Sequence, residues 1–172
     1  MAKGSGSTRS QISNGAKPAT EKDVQKLMKE GVYSRVELRK NGGLLAVESG
    51  GIGHSPVEVE AAEILADEGC RVILTKDSSD KNKVKLPDGK VYSMTYEQRT
   101  PTESQSTTVK NAIHHAQDKR ADVALIYDKF GNFHRNTIEE GIRLHEAKSN
   151  YRCKYIMVIS QNKNVYIHYH ND

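Results

Sequence analysis

Carboxylate and cationic side chains stand at three separate places in this 172-residue sequence, and their types suit chemistry on a phosphate group. Glu60 lies in PVEVEAAEIL, Asp88 follows Pro87, and Glu97 and Arg99 are two residues apart in MTYEQR. Carboxylate oxygens hold Mg²⁺ or Mn²⁺, and such an ion polarises a phosphoryl oxygen and activates water. A guanidinium beside it stabilises the charge of the transition state. We therefore predict a phosphodiester-cleaving site that combines Asp88 and Glu97 as metal ligands with Glu60 or Glu63 on a helix and with Arg99 on the phosphate.

A predicted helix carries the first of these carboxylates. Ser55 supplies an N-cap hydroxyl, Pro56 a first-turn proline and Glu58 a capping-box carboxylate ahead of an apolar helical stripe. Glu60 and Glu63 are both candidates for the carboxylate that this helix contributes.

A predicted hairpin carries the other carboxylates and the arginine. Residues 84–86 and 91–97 have strand character, and Pro87, Asp88, Gly89 and Lys90 between them are typical of a turn. Side chains alternate along a strand, so Glu97 and Arg99 emerge on one face. The residues expected to lead up to them on that face are Val91, Ser93 and Thr95.

The rest of the chain alternates helix and strand signals, which predicts an α/β fold with a mixed central sheet and helices on its faces. The predicted segments are helices over 21–30, 106–119 and 136–147, a hairpin over 32–49 that turns at 41–43, and strands over 71–75, 121–127, 155–160 and 165–169.

The first nineteen residues read MAKGSGSTRSQISNGAKPA, and they have no apolar period that could offset the entropy of ordering. We expect a disordered linker or tail over residues 1–19. The remaining length suits one domain over residues 20–172.

Composition adds a weak preference for nucleic acid and argues against other classes. Lysine and arginine number 26 against 22 acidic residues, and lysines 81, 83, 85 and 90 with Lys110, Lys119 and Arg120 form a predicted basic rim. Cys70 and Cys153 have neither CxxC nor zinc-finger spacing, which predicts buried reduced thiols. No stretch approaches the ~18 apolar residues of a membrane span.

Each part of the predicted site also has an ordinary structural explanation. Pro87-Asp88-Gly89 is a common turn, helix glutamates are usually solvated, and Glu97 with Arg99 could form a charge pair on a strand. His114 and His115 are adjacent and cannot share one helix face. His115 is a candidate for acid–base work in a ribonuclease that needs no metal.

Three runs resemble the tRNA-nuclease C-terminal domain of contact-dependent growth inhibition toxins, a member of the PD-(D/E)XK nuclease superfamily. The runs are EVEAAEILADEGCRVIL, LPDGKVYSMTYEQRTP and STTVKNAIHHAQDKRADVALIY, and the likeness covers roughly residues 55–160. It implies a restriction-endonuclease-like fold and a metal-dependent nuclease that acts on tRNA.

The family pattern is a helix glutamate, an aspartate after proline, and Glu-x-Lys on the next strand. The resemblance places the helix glutamate at Glu60, with Glu63 second, and the other two acids at Asp88 and Glu97. Arg99 stands where the family has lysine. An arginine stays protonated and cannot serve as a base, although it still stabilises charge. An alternative is therefore a catalytically weakened nuclease fold that serves as a binding or docking module of a phage or mobile-element protein.

The resemblance further implies an immunity protein as a partner. It also implies a cytoplasmic site of action, with delivery as the C-terminal part of a larger secreted or phage protein.

Overall fold

The computed structural model describes residues 8–51, 53–76 and 86–170, and the chain divides between Ser93 and Met94 into two compact units. Each unit combines helices with four strands, which confirms the predicted α/β composition. The prediction of one domain over residues 20–172 stays a prediction. Among the described residues, no helix is both long enough and apolar enough to cross a membrane.

The N-terminal unit has four strands in the order β1-β2-β3-β4. β1 and β2 form an antiparallel hairpin, β2 and β3 are parallel and joined through α3, and β4 is antiparallel to β3. Its elements are α1 (Thr8–Ile12), α2 (Glu21–Glu30), β1 (Tyr33–Leu38), β2 (Leu44–Glu48), α3 (Pro56–Asp67), β3 (Arg71–Leu74) and β4 (Gly89–Val91).

Local signals in the sequence set the ends of these elements as predicted. Ser55 Oγ accepts a hydrogen bond from the Glu58 amide at 3.4 Å, which caps α3 at its first turn. Gly31 ends α2 with a φ of 69°, a conformation that costs a glycine little. Asn41 and Gly42 turn the β1–β2 hairpin with φ values of 57° and 76°.

The prediction of a disordered lead is wrong for residues 8–19. These residues include α1, and the side chains of Ile12 and Ala19 are buried. The Ala19 amide donates to the Gly42 carbonyl, and Arg71 donates to the Lys17 carbonyl. A few apolar side chains and backbone bonds therefore hold a segment whose composition is polar. Residues 1–7 lie outside the described residues.

The predicted second hairpin is also corrected. Gly89 and Lys90 belong to β4, which pairs with β3, rather than to a turn. The break falls instead at Tyr92, whose φ is 55°, so Val91 and Ser93 do not share a strand with Glu97. Tyrosine is not one of the residues that usually mark a left-handed turn, as glycine, asparagine and aspartate do, so residues 91–97 were predicted to form one strand. Residues 84 and 85 lie outside the described residues.

The C-terminal unit contains three parallel strands, β5, β6 and β7, followed by β8, which is antiparallel to β7. Its elements are β5 (Met94–Arg99), α4 (Ser106–Asp118), β6 (Val123–Tyr127), α5 (Arg135–Glu146), β7 (Tyr155–Ile159) and β8 (Val165–His170). Side chains from α4, α5, β6 and β7 form one buried apolar cluster. α4 is thereby held against β6, the neighbour of the strand β5 that carries Glu97 and Arg99.

The two cysteines are buried and free, as predicted. Burial raises the pKa of the Cys70 thiol to about 12 and that of Cys153 to about 11. Both therefore stay protonated at neutral pH and serve as core side chains.

The close packing of α4 against α5 depends on Gly141. A Cβ atom at this position would lie 2.4 Å from Val109 Cβ and 2.8 Å from the Ser106 carbonyl oxygen. Gly141→Ala should therefore lower the free energy of unfolding by about 1–3 kcal/mol, although alanine is normally the better helix former. Gly53→Ala is the matched control, since a Cβ there meets nothing within 4 Å, and it should change stability by less than about 0.5 kcal/mol. Equal denaturation midpoints for both variants would contradict this packing.

Candidate functional site

The C-terminal unit buries one carboxylate of the predicted site beside two cations. Glu97 lies on β5 and is only 3% exposed. Lys119 Nζ is 2.9 Å from Glu97 Oε1, and Arg99 Nη2 is 4.0 Å from the same oxygen. A buried carboxylate needs such compensation, because loss of its hydration shell costs several kcal/mol. The structure therefore brings Glu97 and Arg99 together and adds Lys119 to them.

Lys119 reaches Glu97 from the end of α4. It is the C-cap residue of the helix, its amide donates to the His115 carbonyl, and its side chain is 18% exposed. From the sequence, Lys119 was predicted to belong to a basic rim, with no ion-pair partner. Glu97 and Lys119 belong to different elements, so no local spacing signals their contact.

Arg99 is the outward member of this cluster, with 43% of its side chain exposed. It ends β5, whereas Glu97 is buried two residues earlier on the same face of the strand. The guanidinium is therefore open to a ligand while it stays near a fixed negative charge.

His115 lies one helical turn before Lys119 and is exposed. Partial desolvation and the positive charge of Arg99 lower the pKa of His115 below its ordinary value. The imidazole is therefore neutral at pH 7 and able to accept a proton.

The remaining predicted site residues lie in the N-terminal unit. Asp88 immediately precedes β4, and its carbonyl accepts a hydrogen bond from the Thr75 amide at 3.2 Å. Glu60 is half-buried on α3. Glu63, the second helix candidate, forms ion pairs at 3.5 Å with Arg35 and with Arg39. These ion pairs give Glu63 a structural role. Glu60 stays the first choice for the helix ligand that the sequence predicts.

A histidine that sequence reasoning missed lies near Asp88. His54 Nδ1 is 2.9 Å from Glu58 Oε2, and His54 Nε2 is 2.8 Å from the Thr75 carbonyl oxygen. Both partners accept hydrogen bonds, so the doubly protonated ring satisfies both. The bond to Glu58, helped by Thr75 and the charge of Asp88, raises the pKa of His54.

The described side chains fit a divalent metal only in part. Glu97 offers the hard oxygen ligand that Mg²⁺ and Mn²⁺ prefer. Within the described part of either unit, however, no group of three or more His, Cys, Asp or Glu side chains is arranged to hold a metal. A metal at Glu97 therefore needs further ligands, and the roles of Asp88 and Glu60 stay predictions.

The predicted basic rim is described only in part. Lys90 and Arg120 are exposed and Lys110 is half-buried. Lysines 81, 83 and 85 lie outside the described residues. Each unit therefore has some of the predicted cations at its surface. Lys119 differs from them, because it is paired with the buried Glu97.

Comparison with known proteins finds one related structure. No protein-family model matches the chain, and neither does any curated protein. A chain of the solved "CdiA-CT/CdiI toxin and immunity complex from Burkholderia pseudomallei" is similar, with a TM-score of 0.51 and 14% sequence identity. The match covers 70% of this chain and 96% of that one. At this identity the likeness is one of fold, and it supports the α/β architecture.

The Glu97–Lys119 pair can be tested by a double-mutant cycle. Lys119→Met should lower the free energy of unfolding by about 3–5 kcal/mol, because it leaves the buried Glu97 carboxylate without its nearest partner. Glu97→Gln should lower it by less, because Lys119 is 18% exposed and can reach water. The double variant should lose less than the sum, which chemical denaturation of the four proteins measures.

The control cycle uses the exposed pair Arg135 and Glu139, whose atoms Nε and Oε1 are 3.0 Å apart. Its coupling energy should be only about 0.3–0.5 kcal/mol. If the Glu97–Lys119 coupling were no larger than this, the buried ion pair would not hold the cluster together.

The His54 contacts predict a pH dependence of stability. The folded state raises the pKa of His54, so its contribution is fully present below the unfolded pKa of about 6.5 and is lost as pH rises through the folded value. The stability difference between wild type and His54→Asn should shrink from pH 6 to pH 9 in urea titrations. A difference that grows with pH would show that the ring binds these partners in its neutral form.

Proposed function

We propose that this chain is a toxin-type nuclease that hydrolyses phosphodiester bonds, with tRNA as its substrate. The observation that carries the proposal is the position of Glu97, a buried carboxylate with Lys119 at 2.9 Å and the partly exposed Arg99 at 4.0 Å. Such a cluster combines a fixed acid with a cation that can meet a phosphate.

Each side chain has a defined task in this proposal. Lys119 holds the Glu97 carboxylate in place from α4. Arg99 binds a phosphate oxygen through its planar donors and stabilises the charge that develops during cleavage. Arg99 cannot accept a proton, so it does not replace the family lysine as a base.

A divalent ion, Mg²⁺ or Mn²⁺, belongs to the proposal. When bound, it would polarise the phosphoryl oxygen and lower the pKa of a water molecule. Glu97 would be a ligand, and Asp88 and Glu60 are the further ligands that the sequence predicts. The assignment to the PD-(D/E)XK superfamily rests on the same three residues and is part of the proposal.

The toxin role is supported by the fold. The related structure is that of a toxin and immunity complex, so we propose an immunity protein as the partner of this chain. We further propose that the chain is delivered as the C-terminal part of a larger secreted or phage protein and acts in the cytoplasm of the target cell.

A second candidate is a ribonuclease that needs no metal. The observation in its favour is His115, whose lowered pKa leaves a neutral imidazole one turn from Lys119. A neutral imidazole can take the proton of an RNA 2′-hydroxyl, with Arg99 on the phosphate. Chelation separates the two candidates.

Cleavage of total tRNA and of plasmid DNA should be measured with Mg²⁺, with Mn²⁺ and with EDTA. The proposal predicts tRNA cleavage that needs a divalent ion. Glu97→Gln and Arg99→Ala should each lower the rate by about 100-fold or more, since each removes a group that acts on the reacting phosphate. Glu139→Gln, on an exposed helix position, is the matched control and should cleave at the wild-type rate.

Circular dichroism and thermal melting of each variant show whether a lost rate reflects lost folding. Cleavage that persists in EDTA and disappears in His115→Ala would favour the second candidate. No cleavage of either nucleic acid under any metal would contradict both enzymatic functions and leave a binding or docking module.

A further inference from the structure

The loop over residues 128–133 lies at the same edge of the C-terminal strands as Arg99. β5, β6 and β7 are parallel, so their carboxyl ends, at Arg99, Tyr127 and Ile159, lie at one edge. The loop follows β6 directly and leads into α5. Ligands of α/β sheets commonly bind at such an edge.

The loop exposes one large aromatic side chain. Phe130 is 54% exposed, whereas Phe133, three residues later, packs against the core of the unit. Burial of such a side chain stabilises a fold by about 1.5–3 kcal/mol, and Phe130 does not make this contribution. The fold therefore keeps Phe130 at the surface although a second phenylalanine of the same loop is placed inside.

Hydrogen bonds hold the loop in this conformation. Asp128 is 5% exposed, and its two carboxylate oxygens accept the amides of Asn132 at 2.7 Å and Phe133 at 3.2 Å. The Asp128 amide donates to the Ile159 carbonyl, which fixes the loop to the end of β7. Asp128, which has no role in the proposed cleavage, thus fixes the backbone of the loop that carries Phe130.

The same loop is tied to the strand end that carries Arg99. Asn132 Nδ2 donates to the Pro101 carbonyl at 3.4 Å, two residues beyond Arg99. Arg99 pairs in register with Ile126, and neighbouring strands lie about 4.8 Å apart. Phe130 is four residues beyond Ile126, so residues 99 and 130 both lie at this edge of the strands.

We infer that Phe130 is a stacking platform for an unpaired nucleobase of a substrate whose phosphate lies at Arg99. Every base has a π-face that an aromatic ring can stack on, and only an unpaired or splayed-out base can reach it. Cations for the adjoining backbone stand at the same edge, with Arg99 at the end of β5 and exposed Lys163 in the turn after β7. The inference rests on the proposed function and narrows its substrate to single-stranded segments.

The charges at this edge favour nucleic acid over a protein as the occupant. Arg99 ends β5 and Lys163 follows β7 at this edge, and no acidic side chain of the loop over residues 128–133 is exposed beside Phe130, which suits a polyanion with stacked bases. A partner protein that covered Phe130 would leave oligonucleotide binding independent of this side chain.

Binding of a single-stranded 2′-O-methyl RNA oligonucleotide that contains 2-aminopurine tests the inference, in EDTA so that the probe stays intact. Fluorescence anisotropy should show that Phe130→Ala weakens binding by about 5- to 150-fold, the equivalent of about 1–3 kcal/mol for one stacked base. Phe130→Trp should retain the wild-type affinity, and wild type should quench 2-aminopurine fluorescence more than Phe130→Ala. A duplex of the same sequence should bind both proteins equally.

Tyr166→Ala is the matched control, since Tyr166 is another exposed aromatic of the unit, 45% exposed on β8, and its loss should leave affinity unchanged. Equal affinity of wild type and Phe130→Ala for the single strand would overturn the inference, even if tRNA is cleaved. Binding and quenching that depend on Phe130 without cleavage under any metal would support the platform and overturn the proposed nuclease. A wild type that binds no single strand would overturn the platform.

Discussion

The buried charge of Glu97 is the constraint on which the candidate site depends. A carboxylate that is 3% exposed must be paired, and Lys119 supplies the partner from a helix that starts seven residues after β5 ends. The pair therefore ties the end of α4 to β5 and fixes both relative to the parallel strands. Gly141 supports the same arrangement in a different way: its lack of a side chain lets α5 pack closely against α4.

This constraint divides the cations of the cluster by task. Lys119 is largely enclosed with Glu97, whereas Arg99 ends its strand and keeps 43% of its side chain exposed. The edge formed by β5, β6 and β7 then presents a cation and, through the loop held by Asp128, the ring of Phe130. An anion with an attached base is the ligand chemistry that such an edge suits.

Local structure could be predicted where a side chain or a glycine marks the end of an element. Ser55 and Gly31 mark helix ends, and the structure has both where the sequence put them. The strand break at Tyr92 was missed because the residue turns left-handed without being glycine, asparagine or aspartate. The order of residues 8–19 was missed because two buried apolar side chains do not make a period.

The site was predicted less completely than the fold. The spacing of Glu97 and Arg99 on one strand was enough to place them together. Lys119 could not be found in this way, because Glu97 lies on another element and becomes its neighbour only after β5 and α4 pack. His54 has one local partner, Glu58, four residues later, whereas its contact with the Thr75 carbonyl forms only when distant segments pack.

The role of Glu97 is tested most directly by substituting both residues of the buried pair. The double variant Glu97→Gln/Lys119→Met has no buried charge to compensate, so it should fold, and single-turnover kinetics of tRNA cleavage can be measured on it with Mg²⁺. We expect the double variant to fold and to leave tRNA intact. A folded double variant that cleaves tRNA at the wild-type rate would contradict this expectation, because the reaction would then not use Glu97.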